Sequence, residues 1–295
     1  MPDVKIFWDP QGFSVDTLGT NEYLRTADGD TLYVSMSIRM LNIDTPETHY
    51  PNWSKPSEQD DKLATLAYWI EQGKAPVGDD LGAYLHARLA TGQAGTLQEQ
   101  QGEQATAVLR QLLDKMLVRP TGGKRSLFIS TADAPFDSYG RLLANIAPAY
   151  NADERAALSK WEQATFNLLM VRAGWAATLI IYPSIPRYND LLMFHEAAKE
   201  AYMAGRGVWG EPMALTGYEF RGAVKLYDIT KRLNDGERLF DDQRSAWIER
   251  YCIDLTTRSI YYPEDYIKIA PYNRLFIFAG DVAEAVGRLN LTPGD

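Results

Sequence analysis

Arg39-Met40-Leu41-Asn42-Ile43-Asp44-Thr45-Pro46-Glu47-Thr48 is the stretch that decides how this chain is read. An apolar strand carrying one arginine runs into two carboxylates three residues apart, Asp44 and Glu47, separated by Thr45 and Pro46. The fixed φ of Pro46 turns the chain as soon as the strand ends, so both carboxylates can face one small volume. A hard cation such as Ca²⁺ needs several oxygen ligands. A water attacking phosphorus needs a nearby base. A guanidinium can grip phosphate oxygens in pairs and stays charged at any working pH. Two carboxylates and an arginine at one strand end could therefore supply a ligand, a base and a phosphate clamp.

Outward from this stretch, Leu32, Val34, Met36 and Ile38 alternate with Tyr33, Ser35, Ser37 and Arg39. That period of two predicts a strand with one face buried and Arg39 on the polar face. Val4 to Trp8 and Phe13 to Leu18 are further strand candidates, separated by the turn signal Asp9-Pro10-Gln11-Gly12. Glu103 to Val118 has an apolar face made by Ala107, Leu109, Leu112, Leu113 and Met116, and it predicts an amphipathic helix. Ser126 to Ser130 and Arg141 to Ile146 read as strands flanking a turn, and Ala156 to Ala173 and Leu191 to Ala204 read as helices, the latter ending at Gly205.

Four blocks occur in an order that resembles the staphylococcal nuclease (thermonuclease) family: Asp28-Gly29-Asp30-Thr31, the Asp44–Glu47 stretch, Asp137-Ser138-Tyr139-Gly140-Arg141, and Asn167 to Gly174 (NLLMVRAG). Glu196 to Trp209 is similar to the family's closing helix. The resemblance covers about residues 20–210 with one large insertion. It implies an α+β fold, a five-stranded OB-fold-like β-barrel with capping helices. It also implies a Ca²⁺-dependent endonuclease that hydrolyses phosphodiester bonds of DNA and RNA with little sequence specificity, single strands being preferred. A non-catalytic nuclease-like module that binds nucleic acid or protein is the alternative.

On the same resemblance Glu47 is the general base, Arg39 and Arg141 are the phosphate-clamping arginines, and Asp44 and the Thr45 carbonyl are metal ligands. Tyr139 and Tyr182 are substrate-binding residues. The second metal carboxylate has two readings. The family motif points to Asp30. A three-residue hairpin loop at Ala27-Asp28-Gly29 instead pairs 13–26 with 30–41 and sets Asp16 opposite Met40. Ser138 stands where the family has a lysine, and Ile180 where it has a base-stacking aromatic, so contacts to the nucleotide end are expected to differ.

The 295 residues suit one large domain or two smaller ones. The expected division is 1–212, with a helical insertion at 52–98, followed by a small α+β domain at 213–295. In the insertion, Lys62 to Gln72 and Leu81 to Leu89 look helical. They form either an add-on packed through Trp53, Tyr68, Trp69 and Tyr84 or a lid over the site. In the C-terminal stretch Gly222 to Ile229 reads as extended, Asp241 to Arg250 as helical and Ile253 to Tyr262 as extended. A strand at Leu275 to Phe278 and a helix at Asp281 to Leu289 follow. No chemistry-bearing group is expected there, and Arg232, Arg238, Arg258 and Arg274 read as solvated surface.

The net charge of −9 sits badly with a generic polyanion binder. The acidity is concentrated in residues 1–100, while 101–150 carry 6 basic and 4 acidic side chains, including Lys124, Arg125 and Arg141. Local positive potential, and hence modest, salt-sensitive binding, is the expectation. No apolar run approaches the ~20 residues of a membrane span. The N-terminus lacks the apolar segment of a secretion signal, which suits a cytoplasmic chain or a mature form. Single Cys252 excludes an intrachain disulfide and reads as a small buried hydrophobe, and His49 and His86 read as structural.

Overall fold

A computed structural model describes residues 21–29, 31–49, 54–120, 122–137 and 139–294. In chain order the elements are β1 (Glu22–Thr26), β2 (Leu32–Ser35), β3 (Ile38–Met40), β4 (Ile43–Asp44), α1 (Asp60–Glu71), α2 (Asp79–Leu89), α3 (Ala94–Leu117), β5 (Leu127–Phe136) and β6 (Leu142–Pro148). Then come α4 (Ala152–Ala157), α5 (Phe166–Arg172), β7 (Ala177–Thr178), β8 (Ile180–Ile181), α6 (Tyr188–Met203) and α7 (Gly217–Asn234). The chain closes with α8 (Asp241–Ser245), β9 (Arg250–Asp254), β10 (Ser259–Tyr261), β11 (Arg274–Phe278), α9 (Val282–Leu289) and β12 (Thr292–Pro293). The residues fall into two compact units, one reaching Arg39 and including Thr131–Ala144, the other Met40–Ser130 with Asn145 onward.

In the first unit β1 and β2 form an antiparallel hairpin with Thr26 opposite Leu32 and Glu22 opposite Ser35. The Ala27 amide donates to the Thr31 carbonyl at 3.0 Å, so Ala27 is paired and not part of the loop, and Thr26 lies opposite Leu32 where the three-residue loop reading set residue 26 opposite residue 30. The buried face expected from the alternation is not found: Leu32 is 66% exposed and Val34 43%. The strands expected at 4–8 and 13–18, together with Asp16, Asp30, Trp53 and Ser138, lie outside the described residues. Strands β3, β6 and β5 pair in that order.

The second unit is built on two helical cores and a sheet. Leu63 and Leu66 of α1, Leu81, Leu85 and Leu89 of α2, and Phe220, Ala223 and Leu226 of α7 share one buried cluster with Cys252 and Phe276. Trp69 stacks on Tyr227 with ring centroids 5.3 Å apart. The insertion and the C-terminal stretch therefore share one buried cluster. A five-stranded sheet runs in the order β12-β10-β9-β11-β8. Its β11 pairs in parallel with β8, Leu275 opposite Ile180, across the expected boundary at 212. A second cluster joins Leu168, Met170 and Val171 of α5 to Phe194, Ala197 and Ala198 of α6. The α+β class holds, and none of the sheets among the described residues closes into a barrel.

Three expected elements differ. The helix expected over 241–250 ends at Ser245, and Arg250 already belongs to β9. Gly222 to Ile229 is helical, not extended. Thr216 and Glu219 form a capping box that starts α7: Glu219 Oε2 accepts from the Thr216 amide at 2.8 Å, and Thr216 Oγ1 from the Glu219 amide. Phe220, Ala223, Val224 and Thr230 then recur on one buried face at helical spacing. The helix expected over 156–173 is broken into α4 and α5, because Gln163 Nε2 binds the Arg155 and Leu158 carbonyls and Thr165 Oγ1 caps α5 through the Leu168 amide. Because Phe220 is fully buried in the cluster that ties α7 to α1, Phe220→Ala is expected to cost about 3–5 kcal/mol. Urea unfolding followed by circular dichroism measures it.

Candidate active site

Asp44 reaches its place through a sequence of local constraints. Asn42 takes a left-handed conformation (φ 63°), which an asparagine tolerates better than a branched residue. Its carbonyl accepts from the Leu179 amide at 2.9 Å, and β4 then pairs with β7, Asp44 opposite Ala177. Fully buried Asn167 of α5 secures the approach: its Nδ2 donates to the Leu41 carbonyl at 2.9 Å and its Oδ1 accepts from the Ile146 amide at 3.0 Å. Asp44 is left 2% exposed.

Helices hold the Thr45–Glu47 turn from two sides. Gly102 of α3 lies against the Glu47 backbone so closely that a Cβ there would come within 2.7 Å of the Glu47 carbonyl oxygen. Gln98, one turn earlier and buried, accepts from the Glu47 amide at 2.9 Å and donates to the Leu215 carbonyl at 3.0 Å, its amide oriented so that both atoms are satisfied. From the other side comes Gly217, the first residue of α7. A Cβ on it would meet the Thr45 carbonyl oxygen at 2.5 Å and Asp44 Oδ2 at 2.7 Å.

One turn further along α7, Arg221 joins the two carboxylates. Its Nη2 donates to both oxygens of Asp44, at 3.0 and 3.1 Å, and its Nη1 donates to Glu47 Oε1. Burial lowers the guanidinium's affinity for its proton, and the two carboxylates more than restore it. Nearby, Arg250 at the start of β9 lies over the rings of Phe278 (4.7 Å) and Tyr218 (5.4 Å), its pKa lowered chiefly by burial. Glu219, also on α7, accepts from the Tyr84 hydroxyl at 3.1 Å and faces Arg274 Nη1 at 3.5 Å. Arg274 is thus a buried ion-pair partner and not the solvated side chain expected; its Nε also donates to the Ile269 carbonyl. A cavity of about 10 Å³ lined by Asp44, Thr216, Tyr218 and Arg274 has room for one water at most.

The other expected site residues fall as follows. In the first unit Arg141 closes the Asp137 turn. Its Nε donates to Asp137 Oδ2 at 2.7 Å, and the amides of Tyr139 and Arg141 donate to Oδ1. Burial raises the Asp137 pKa, but these bonds outweigh it and leave the carboxyl below the usual range. Gly140 has φ 74°, a conformation the turn requires and glycine permits. Tyr139 is 81% exposed. Arg39 sits in β3 of that unit. Tyr182 is buried beside Ile180, its hydroxyl donating to Oε1 of the exposed Glu284 at 2.9 Å. His49 Nδ1 bonds the Thr48 hydroxyl.

Among the described residues no three His, Cys, Asp or Glu side chains gather as a metal-binding group. The carboxylate pair and the Thr45 carbonyl have the right oxygen chemistry for a hard cation. Their arrangement fits a guanidinium instead, because both Asp44 oxygens and one of Glu47 already accept from Arg221. Arg221 is also the partner of these carboxylates that sequence reasoning missed. The capping box ahead of it was the available signal for its helix, and nothing in its own neighbourhood marked it.

The Asp44–Glu47 turn after an arginine-bearing strand and the Asp137–Arg141 turn are the blocks on which the sequence resembles one class of protein, the nuclease homologues. Residues 37–211 match the model of that class, and the chain belongs to the staphylococcal nuclease homologue family. Beyond the family, it is 23% identical over 271 residues to endonuclease YhcR of Bacillus subtilis (strain 168), covering 89% of this chain and 16% of that protein. The chain thus spans about one sixth of the length of that relative. Arg221 lies outside the matched residues.

The tight seat of Glu47 on α3 can be probed directly. Gly102→Ala must push two backbone atoms of Glu47 out of contact, which is expected to destabilise the protein by about 1–3 kcal/mol. Urea denaturation of the variant measures the loss.

Proposed function

We propose that this chain is an endonuclease that hydrolyses phosphodiester bonds of DNA and RNA with little sequence preference. The observation that carries the reading is the family match over residues 37–211 with Asp44 and Glu47 brought together on one turn. Uncatalysed hydrolysis is slow because an anionic phosphorus repels the nucleophile and the leaving alkoxide is poor. Glu47, whose side chain is the more accessible of the two, takes the proton from the attacking water. Arg39 and Arg141 are assigned to the phosphate on the family pattern alone, as groups whose charge would stabilise the negative charge that builds up on its oxygens. Tyr139 offers an exposed hydroxyl to the same backbone.

Dependence on one Ca²⁺ ion held by Asp44, Thr45 and Asp30 is proposed on the family pattern alone, since the carboxylates as arranged are matched to Arg221. Preference for single strands follows from the need to bring one phosphate to a turn. The endonuclease activity stated for YhcR is consistent with this reading. The engagement of Glu47 by Arg221 favours one second reading, a nuclease-like module that binds without cutting.

A fluorescent single-stranded oligonucleotide separates the two. The wild-type protein is expected to cut it with Ca²⁺ and to stop with EDTA. Glu47→Gln is expected to lower kcat by about 10²-fold or more, and Arg141→Ala by about 10²–10³-fold. Binding without cleavage by the wild type, with or without Ca²⁺, would overturn the proposal and establish the second reading.

A further inference from the structure

The carboxylate turn is a family feature, but the positive charge against it comes from outside the family match. Arg221 and Gly217 lie four residues apart on α7 and so share a face of that helix. Gly217 lets the helix end come close to Thr45 and Asp44, and Arg221 then places its two terminal nitrogens on three carboxylate oxygens. The seat of α7 is firm. The helix is capped at Thr216 and buried through Phe220, Ala223 and Val224 against α1, and Gln98 of α3 ties the Leu215 carbonyl ahead of it to the Glu47 amide. Arg250 adds a second positive charge close enough to interact with both Arg221 and Asp44.

We propose that Arg221 is a resident cation of the nuclease site, and that its guanidinium and a divalent metal ion are mutually exclusive occupants of Asp44 and Glu47. Both oxygens of Asp44 accept from Nη2, so an ion seeking either one meets a donor hydrogen and a full positive charge within hydrogen-bond distance of its ligand. An ion can bind Asp44 only when the Arg221 side chain swings away, and the side chain has a way out because it is about one third exposed. The C-terminal stretch thereby sets how readily the site takes up its cation. The inference rests on the reading that Asp44 and Glu47 belong to a cation-using nuclease site, and it is tested without measuring cleavage.

Ca²⁺ alone is titrated calorimetrically into the full chain, its Arg221→Gln variant and its Arg221→Lys variant, each first checked for native circular dichroism. Arg221→Gln is expected to bind Ca²⁺ at least tenfold more tightly than the wild type. Arg221→Lys, which keeps the charge but cannot reach both carboxylates with two nitrogens, is expected to fall between them. Equal affinity, or weaker binding by Arg221→Gln, overturns the proposal. Should the glutamine variant fail to fold, the wild type still decides. The Arg221 side-chain N–H resonance, assigned by its loss in Arg221→Lys, must shift at saturating Ca²⁺, and an unchanged resonance there overturns the proposal. Cleavage by the wild type with no effect of Arg221 on affinity would sink this inference and leave the nuclease reading standing. Absence of cleavage would sink the nuclease reading and leave the calorimetric answer intact.

Discussion

Two carboxylates three residues apart on a buried turn repel each other, and folding removes the water that would otherwise screen them. Asp44 is almost fully inaccessible, so it cannot rely on solvent for its stabilisation. The guanidinium of Arg221 meets that requirement with donors on both of its oxygens and a further donor on Glu47. A buried ion pair of this kind rarely adds net stability over a well-packed apolar pair, because both charges lose hydration to form it. The energy that keeps it in place comes from elsewhere, from the apolar cluster in which α7 packs on α1 and α2. The charge pair sets the geometry of the site, and the core beneath it supplies the stability.

This division of labour accounts for the insertion and the C-terminal stretch together. Leu63, Leu66, Leu81, Leu85 and Leu89 would leave an apolar face open without Phe220, Ala223 and Leu226, and the reverse is equally true. Hydrogen bonds link the same two stretches at Tyr84–Glu219 and at Gly78–Glu264. An extension that merely followed the nuclease region would have its own core. Here β11 adds to β8 and α7 to α1, so the last third of the chain forms the support for a turn near its beginning.

How much of this could be read from the residues follows from the range of each interaction. The Asp44–Glu47 turn was legible because proline fixes it within four residues, and α1, α2, α6 and α9 were legible because apolar spacing and end signals lie inside one window. The Asp137–Arg141 turn was legible for the same reason, since all its hydrogen bonds are local. Gly222 to Ile229 misled because Val224 and Leu226 alternate with Lys225 and Tyr227 as a strand would. Burial at Phe220, Ala223, Val224 and Thr230 obeys the helical period once the cap at Thr216 is counted. Leu32 and Val34 misled in the opposite sense: the alternation is real, but alternation does not supply a covering surface.

Arg221 was beyond reach of any such window, since the partners it selects are 177 and 174 residues away. Arg274 was misjudged for a related reason. Arginines on an acidic segment look solvated until the fold sets a buried Glu219 and the Ile269 carbonyl against one of them. In both cases the residue type was readable and the environment was not, because burial of a charge is decided by tertiary packing that brings its partner. The same logic bears on chemistry. A sequence motif supplies residue types, whereas the protonation and cation affinity of a buried carboxylate are set by whatever packs against it. In this chain α7 packs against Asp44 and the Thr45 carbonyl, and the steric room it uses is the missing side chain of Gly217. The electrostatic setting of the Asp44–Glu47 turn is therefore imposed by a helix that lies outside the family match.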